Sequence, residues 1–310
     1  MKGKRNVLDG AGAGRMDGKR YWDLRASEVE RRPGTVVALC EQPGLMVAPH
    51  WHAQAEVNYV LRGRMEYRME GYHAVLGAGD LALFWGGMPH RVVDTDADTL
   101  YQVVHLPLFH FFRLRLSAEL QRRIMRGATL VTDGPQAEDG FAFGRWGQAL
   151  SSGNLRRVGH ALDELLLRLE RIELEPHRLI DIDSARPAPP DPADSPTLDS
   201  VRRMCVFIAA NFRDDIDSAA IAAAADIHPN YAMTVFKRCT GLSLSAYVSL
   251  LRLSYAQALL ADDGASVLQV ALESGFGSLS AFNKCFRKKA GMTPSEFKRE
   301  HRAVPSLTGT

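Results

Sequence analysis

Two hydrophobic periodicities divide the chain. Between residues 35 and 108, apolar and polar positions alternate, as in the stretch from Arg64 to Glu70, where Met65, Tyr67 and Met69 fall on one side. Glycine-containing turns interrupt this part at short intervals, which predicts an antiparallel β-sandwich or barrel. After Pro107 the apolar residues recur at helical spacing instead. The pattern therefore predicts an α+β protein whose strands precede its helices.

One helical stripe in the second pattern has two interpretations. It consists of Val158, Leu162, Leu165, Leu169 and Ile172, spaced by four and three residues in turn. Such a stripe can pack against the strands of its own domain. It can also pair with a second copy of itself, as heptads do, and so form a homodimer.

A proline-rich segment from Asp181 to Pro196 marks the domain boundary. It contains five prolines and no aromatic residue, a composition typical of an extended linker. The N-terminus is rich in glycine and charge and is predicted to be disordered. The predicted organisation is a disordered segment over 1–30, a strand-rich domain with C-terminal helices over 31–180, a linker over 181–197, an all-helical domain over 198–302 and a tail over 303–310.

The helical domain contains an internal repeat. The sequence FKRCTGLSLSAY at 236–247 aligns with FRKKAGMTPSEF at 286–297 at an offset of 50 residues, with Phe, a base, Gly and an aromatic residue in register. Similarity of this kind indicates one supersecondary unit used twice. Each copy is predicted to form a helix-turn-helix, and a long helix from Leu244 to Ala261 is predicted to join them.

Local signals set the limits of these helices. In the second copy, Ser266 starts a capping box, Gly275 supplies the turn and Ser278 caps a helix from Leu279 to Ala290. In the first copy, Asp226 occupies the turn, and Pro229 is the first residue of a helix that ends at Thr240.

The outward faces of the two repeated helices are polar at their start and basic at their end. Between residues 276 and 302 there are seven Lys or Arg and two acids. A basic face alone is usually only a solvated surface, but its duplication at this spacing favours DNA binding. The candidate DNA-binding residues are Asn230, Thr234, Lys237, Arg238, Ser280, Asn283, Lys284, Arg287 and Lys288.

Composition narrows the class of protein. The net charge is only +2, so a surface for nucleic acid must be local. The four cysteines are far apart, which argues against a disulfide scaffold and a structural zinc site. We find neither a signal peptide nor an apolar run long enough to span a membrane, and we expect a cytoplasmic protein.

The repeat, above all ALESGFGSLSAFNKCFRKKAGMTPSEF at 271–297, resembles the DNA-binding domain of the AraC/XylS family of bacterial transcription regulators. The resemblance implies two helix-turn-helix motifs in consecutive major grooves of double-stranded DNA, and RNA polymerase as a partner. It implies that Asn230, Thr234, Ser280 and Lys284 approach bases and that Lys237, Arg238, Arg287 and Lys288 approach phosphates. His228 and Pro229 depart from the family's usual start of the first reading helix, that is, the recognition helix that enters the major groove.

The strand-rich part resembles a cupin. The stretch from Gly44 to Gly63 reads G-x5-H-x-H-x3-E-x6-G, the first cupin motif, and Gly79 to His90 fits the second, with Trp85 in place of the usual proline. Regulators of the AraC type commonly carry such a sensor. Segments of both halves are similar to regulators of oligosaccharide operons, which implies a sugar effector such as an α-galactoside.

Three interpretations of the histidines in these motifs remain open. Residues two apart on a strand point the same way, so His50 and His52 converge, with Glu56 and His90 nearby. They fit an effector pocket, a divalent metal site or a satisfied core. The candidate effector-binding residues are His50, Trp51, His52, Glu56, Asn58, Trp85 and His90, with aromatic faces for sugar rings also expected at Tyr59. The metal candidates are His50, His52, Glu56 and His90.

These patterns favour a sugar-responsive transcription activator that is not an enzyme and has no cofactor, unless the cupin pocket holds a divalent metal. The competing hypothesis is a metal-dependent cupin isomerase or dioxygenase fused to a DNA-binding module. A non-specific architectural DNA protein is disfavoured by the modest net charge and the folded sensor domain.

Overall fold

The computed structural model describes residues 13–16, 19–24, 27–47, 49–69, 71–181, 195–261 and 265–302. Antiparallel strands come first, helices follow, and the predicted α+β class is confirmed. The strands are β1 (Ala13–Met16), β2 (Lys19–Trp22), β3 (Val37–Glu41), β4 (Ala55–Arg62), β5 (Arg64–Met69), β6 (His73–Gly77), β7 (Leu81–Trp85), β8 (His90–Thr95), β9 (Leu100–Leu106), β10 (Thr129–Thr132) and β11 (His177–Ile180).

Most of the elements after β9 are helices, and they make up the C-terminal domain. They are α1 (Leu108–Phe111), α2 (Ala118–Met125), α3 (Asp139–Leu150), α4 (Leu155–Arg171), α5 (Ser195–Asn211), α6 (Ser218–Ala224), α7 (Pro229–Thr240), α8 (Leu244–Ala261), α9 (Val267–Glu273), α10 (Leu279–Ala290) and α11 (Pro294–Arg302). In the described part of the chain, none of these helices is long and apolar enough to cross a membrane.

Two antiparallel sheets face each other in the N-terminal domain. One has the strand order β11-β10-β7-β4-β9-β3 and the other β6-β5-β8. The layer between them contains Met65, Tyr67 and Met69, as the alternation on β5 predicts. The opposite face of the larger sheet packs against helices through residues such as Val57 and Tyr59. Strand β4 is therefore covered on both faces, because it lies between the interior of the sandwich and the helical layer.

The helical stripe of α4 packs within its own domain. Leu165 and Leu169 are fully buried, and α4 lies against α3. A buried ion pair fixes the contact, because Arg168 Nε and Asp139 Oδ1 are 2.6 Å apart. The interpretation of this stripe as a homodimer seam is wrong, since the chain's own core already covers it.

The predicted disorder of residues 1–30 is wrong for the described residues of that segment. Strands β1 and β2 form an antiparallel hairpin, and Leu24, Val29 and Glu30 are buried in the domain. This polar stretch has few apolar residues, but Leu24 and Val29 are buried against the rest of the domain. Most of the predicted linker, at 182–194, and the predicted tail at 303–310 lie outside the described residues.

The helix-turn-helix units form as the local signals predict. Helices α7 and α10 have the predicted limits, and their last turns close on glycines in the left-handed region. Ser266 and Gln269 form the capping box of α9, and Asp226 takes a positive φ of 55°. Helix α8 has 18 residues, so it is about 27 Å long and separates the two units.

Gly275 is the residue on which the turn of the second unit depends. Its φ is +84°, and a Cβ there would lie 2.6 Å from the backbone oxygen of Arg213. We expect Gly275→Ala to lower the free energy of unfolding by about 1–3 kcal/mol, because it combines an unfavourable backbone conformation with a clash. Urea denaturation followed by circular dichroism measures this loss.

Gly277 provides the matched control for this substitution. Nothing would lie within 4 Å of a Cβ at Gly277, and its φ is outside the left-handed region. Gly277→Ala is therefore expected to change the free energy of unfolding by less than about 1 kcal/mol. Equal losses in the two variants would contradict the assignment of the turn.

Candidate functional site

The histidine-bearing segment after β3 is held against the loop between β7 and β8. Backbone hydrogen bonds of 2.9 and 3.0 Å connect His50 and His90 in both directions, and the amide of His52 donates to the oxygen of Gly86 at 2.8 Å. A Cβ at Gly86 would run into the His52 ring. Because Gly86 has no side chain, its backbone can pack directly against the His52 imidazole.

Glu56 lies at the centre of a buried cluster of imidazoles. Its Oε2 is 3.0 Å from His52 Nε2, 3.4 Å from His90 Nε2 and 3.7 Å from His105 Nε2. The His50 ring stacks at a tilt against His90, with centroids 4.2 Å apart. The four histidines come from the segment before β4, from β8 and from β9, and the fold brings them together around one carboxylate.

The other oxygen of Glu56 is also saturated. Tyr67 donates its hydroxyl proton to Oε1 at 2.8 Å, and Asn58 Nδ2 donates to the same atom at 3.0 Å. The predicted site residue Asn58 therefore belongs to the cluster as a support of Glu56. Buried charge of this kind is tolerated only where its lone pairs are satisfied, which the arrangement provides.

Burial determines the protonation of the cluster. It lowers the pKa of His50 well below its usual value, lowers that of His52, and lowers that of His105 to about 3. Burial also raises the pKa of Glu56, but hydrogen bonds from His52 and His90 and the surrounding imidazoles outweigh it and hold this pKa well below the usual range. At neutral pH the carboxylate is charged, while His50, His52 and His105 are neutral.

Neutral imidazoles around a carboxylate are also metal ligands. The ligand atoms of His50, His52 and His90 lie within 4.8 Å of one another, and so do those of His52, Glu56 and His105. Among the described residues, Nδ1 of His52 and of His105 has no hydrogen-bond partner. The donor chemistry therefore fits a divalent ion, with His52 common to both groups.

A cavity of about 100 Å³ opens beside the cluster, between the two sheets. His50, Glu56 and His105 contribute to its wall. The remaining walls come from the N-terminal segment and from the inner faces of β3, β5 and β9, among them Trp22, Glu30, Glu41, Tyr67 and Tyr101. The cluster and the cavity form one continuous candidate binding site.

Two of the predicted effector-binding residues face away from this cavity. Phe84, in β7, turns inward and has its ring 5.2 Å from that of His90, so its neighbour Trp85 faces the helical layer. Trp51 also faces outward, since the histidines on either side of it face inward. Tyr59 stacks on Phe143 in α3. The interpretation of these aromatic residues as sugar platforms is wrong, because adjacent residues of an extended chain point to opposite sides.

His105 is a site residue that the sequence reasoning missed. It lies opposite Glu56 in the pairing of β9 with β4. The alternation Tyr101, Val103, His105 places all three on the inner face. The alternation is visible in the sequence, but the pairing partner is not, because it depends on contacts between strands far apart in the chain.

Trp51 joins the cupin to the second helix-turn-helix unit. Its side chain is 1% exposed, and its ring centroid lies 5.9 Å from that of Phe286 in α10 and 6.4 Å from that of Phe297 in α11. Gln257, in α8, donates to the Trp51 carbonyl oxygen at 2.9 Å. The indole therefore occupies the core of the C-terminal domain, while the flanking imidazoles form the cluster.

A lysine of the reading helix reinforces the same junction. Lys289 Nζ donates to the carbonyl oxygen of Gly87 at 2.6 Å. Lys289 belongs to the basic run at the end of α10, but it points toward the cupin, whereas Arg287 and Lys288 are exposed. At the basic end of α10, Lys289 therefore contacts the cupin, while Arg287 and Lys288 lie on the outer surface.

The candidate DNA-binding residues all lie on the outer surface of α7 and α10. The apolar residues on the inner faces of these helices, such as Val235, Phe236, Phe282 and Phe286, are buried. Each of the nine candidates is exposed, namely Asn230, Thr234, Lys237, Arg238, Ser280, Asn283, Lys284, Arg287 and Lys288. In both units a polar start and a basic end face outward.

Comparison with known proteins defines the class. Residues 39–104 match the cupin domain family and residues 221–300 match a helix-turn-helix domain family. The melibiose operon regulatory protein of Escherichia coli is 30% identical over 257 residues, which cover 83% of this chain and 85% of that protein. Regulatory protein PocR of Salmonella typhimurium is 30% identical over 121 residues, 38% of this chain and 39% of that protein.

A solved structure shares the fold over most of the chain. An apo variant of ToxT from Vibrio cholerae superposes with a TM-score of 0.50 at 13% identity, covering 86% of this chain and 97% of that chain. Together with the sequence relatives, these findings define a DNA-binding transcription regulator with a cupin domain. The chain belongs to the AraC/XylS family.

We expect Trp51→Ala to lower the free energy of unfolding by about 3–5 kcal/mol, because it leaves a cavity between Phe286 and Phe297. Urea denaturation of the full chain, followed by circular dichroism, measures the loss. Tyr231→Ala is the matched control, since Tyr231 is an aromatic residue on α7 with 48% of its surface exposed. The control is expected to lose less than about 0.5 kcal/mol. An unchanged denaturation midpoint for Trp51→Ala would contradict the junction.

Proposed function

We propose that this regulator activates a carbohydrate-utilisation operon in response to a sugar bound in the cupin cavity. The observation that carries the proposal is the segment from His50 to His52. Its imidazoles belong to the cluster beside the cavity, with His50 on the cavity wall, while the indole of Trp51 enters the DNA-binding domain. The relative named as a melibiose operon regulatory protein supports the carbohydrate class, with an α-galactoside as the specific candidate. A sensor with this role acts by binding and needs no catalytic residue.

The covalent order of these residues provides the coupling. A ligand that shifts the backbone at His50 or His52 also shifts that of Trp51, because Trp51 lies between them in the chain. The indole packs on Phe286, which is on the inner face of the reading helix α10. A difference of about 1–3 kcal/mol between the two states changes DNA affinity by about 5- to 150-fold.

The two ends of each outer face suit different parts of the DNA. Short polar residues at the start of α7 and α10 suit the edges of nucleobases, and the Lys and Arg side chains at the ends of these helices suit phosphates. Ser278 caps the start of α10 by accepting a hydrogen bond from the amide of Ala281 at 3.2 Å. Ser280 and Lys284, further along the helix, are exposed. RNA polymerase is the expected partner of an activator bound in this way.

Replacing Lys284 with alanine tests the reading helix. We expect Lys284→Ala to weaken binding to an operator selected from random DNA by about 1–3 kcal/mol and to relax the preference at one base pair. Fluorescence anisotropy at fixed salt measures both effects. Arg156→Ala is the control, because Arg156 is an exposed base on α4 in the other domain. If Lys284→Ala leaves affinity and footprint unchanged, Lys284 is not a reading residue.

A sugar panel tests the effector. At 100 times its dissociation constant, the effector should add about 2.7 kcal/mol of stability in a thermal-shift assay, because it binds only the folded protein. In the wild-type protein it should also change operator affinity by about 5- to 150-fold. In Trp51→Leu, which keeps an apolar side chain at the junction, the sugar should still bind while operator affinity no longer responds.

The two parts of that experiment fail separately. If no sugar stabilises the folded protein, the proposed effector class is wrong. If the sugar changes operator affinity equally in the wild type and in Trp51→Leu, the effector class stands and the coupling through Trp51 is wrong.

A metal-dependent enzyme is the second candidate function, and the imidazole cluster favours it. His50, His52, Glu56 and His90 would hold the ion, and His105 adds a further nitrogen. A bound divalent ion would supply Lewis-acid chemistry at the cavity. Elemental analysis of the purified protein, combined with an assay for sugar turnover, separates this candidate from a sensor: the enzyme requires stoichiometric metal and product formation together.

A further inference from the structure

Glu30 is a buried carboxyl group without a well-aligned hydrogen-bond donor. It lies in the segment between β2 and β3, is 0% exposed and lines the cavity. The Ser27 hydroxyl and the Glu30 amide are close enough to lower its pKa, but among the described residues neither of its oxygens has a donor in hydrogen-bond geometry. An acceptor left unsatisfied in the interior is destabilising, so the Glu30 carboxyl group calls for a compensating partner.

The other carboxylates of the cavity already have partners. Glu56 is saturated by Tyr67, Asn58 and the imidazoles. Glu41 lies 3.4 Å from the guanidinium of Arg20, and Glu28 lies 2.9 Å from that of Arg32. Glu30 therefore supplies the unused acceptor capacity of this wall, up to four lone pairs on two oxygens. A ligand that satisfies it must bring donors.

The charge of the cavity restricts which donors are acceptable. Its described lining includes Glu28, Glu30, Glu41 and Glu56, and it contains neither Lys nor Arg. Arg32 and Arg20 lie outside the lining and are already paired with Glu28 and Glu41. A phosphate or carboxylate on the ligand would therefore face Glu30 and Glu56 without a lining cation to balance it, in a site where water screens poorly. The lining therefore disfavours anionic ligands.

A metal ion does not account for Glu30. Within the described residues, the groups whose ligand atoms converge are formed by His50, His52, His90, Glu56 and His105, and Glu30 belongs to neither group. Burial raises the pKa of Glu30 to about 7, so near neutral pH partial protonation avoids part of the cost of a buried charge. Both forms of the carboxyl group accept hydrogen bonds from hydroxyls.

The walls suit a sugar ring. Trp22, Tyr67 and Tyr101 provide aromatic surface, and Val29, Leu39 and Val103 provide aliphatic surface. The cavity volume of about 100 Å³ is well above the minimum that one water needs. The carbon–hydrogen faces of a ring can contact the walls while its hydroxyls reach Glu30.

We propose that Glu30 selects a neutral, hydroxyl-rich ligand by accepting hydrogen bonds from ligand hydroxyls, and that the acidic cavity rejects phosphorylated or carboxylated sugars. This inference rests on the proposed carbohydrate effector and specifies which chemical form of it the site takes. Its physical basis is the coincidence of an unsatisfied buried acceptor with a lining that lacks cations.

The ligand comparison uses the unmodified chain with both domains. Isothermal titration calorimetry is carried out with galactose, glucose and melibiose, with galacturonate and glucuronate, and with the 6-phosphates of galactose and glucose. We expect a neutral sugar to bind and its anionic counterparts to bind at least about tenfold more weakly. An anionic form that binds as tightly as its neutral counterpart overturns the proposal and leaves the carbohydrate effector standing.

Glu30→Gln tests the residue itself, because it keeps the shape of the side chain and removes its charge. We expect neutral sugars to bind the variant at least about tenfold more weakly and the gap to the anionic sugars to narrow. Glu138→Gln is the control, since Glu138 is exposed and remote from the lining. Its affinities should equal those of the wild type.

Other outcomes are equally decisive. Unchanged sugar affinity in Glu30→Gln removes Glu30 from recognition while the effector class survives. Binding of Zn²⁺ or Ni²⁺ that is lost in Glu30→Gln makes Glu30 a metal ligand and overturns the proposal. If the wild-type protein binds none of the neutral or anionic sugars, both this inference and the proposed carbohydrate effector fall.

Discussion

The packing of Trp51 between Phe286 and Phe297 joins the histidine segment of the cupin directly to the second helix-turn-helix unit. An extended backbone sends consecutive side chains to opposite sides, so a segment reading His-Trp-His separates imidazoles from indole without any further device. The imidazoles enter the polar cluster of the cupin, and the indole fills the core of the second helix-turn-helix unit. A single stretch of backbone is therefore shared by the binding site and the DNA-binding domain.

The polar cluster behind this junction explains why the segment is held so firmly. A buried carboxylate is unfavourable unless every lone pair is occupied, and Glu56 meets this condition through Tyr67, Asn58 and the imidazoles around Oε2. Each of those partners is fixed by a different strand or loop. A ligand that competes for one of them perturbs the whole set, which is the property that a sensor requires.

The sequence was informative where structure is local and uninformative where it is not. The limits of α7 and α10 follow from capping residues, Pro229 and terminal glycines, all within a few residues of the helix they control. Which face of a strand a residue occupies depends instead on register against distant strands. For that reason the sequence pattern places Trp51 and Trp85 in the pocket and does not indicate His105. It also gives no signal for Glu30, which lies in a segment whose composition predicts disorder.

The junction makes the two DNA-reading units unequal. Helix α10 carries Phe286 on its inner face and Lys284 on its outer face, and Lys289 at its end reaches the cupin at Gly87. Helix α7 instead packs near α2, away from the histidine segment. A displacement of Trp51 therefore acts on α10 directly, whereas α7 receives it only through the rest of the domain. In the proposed function both helices engage the same duplex, so a change in the position of α10 alone would alter how the pair fits successive major grooves.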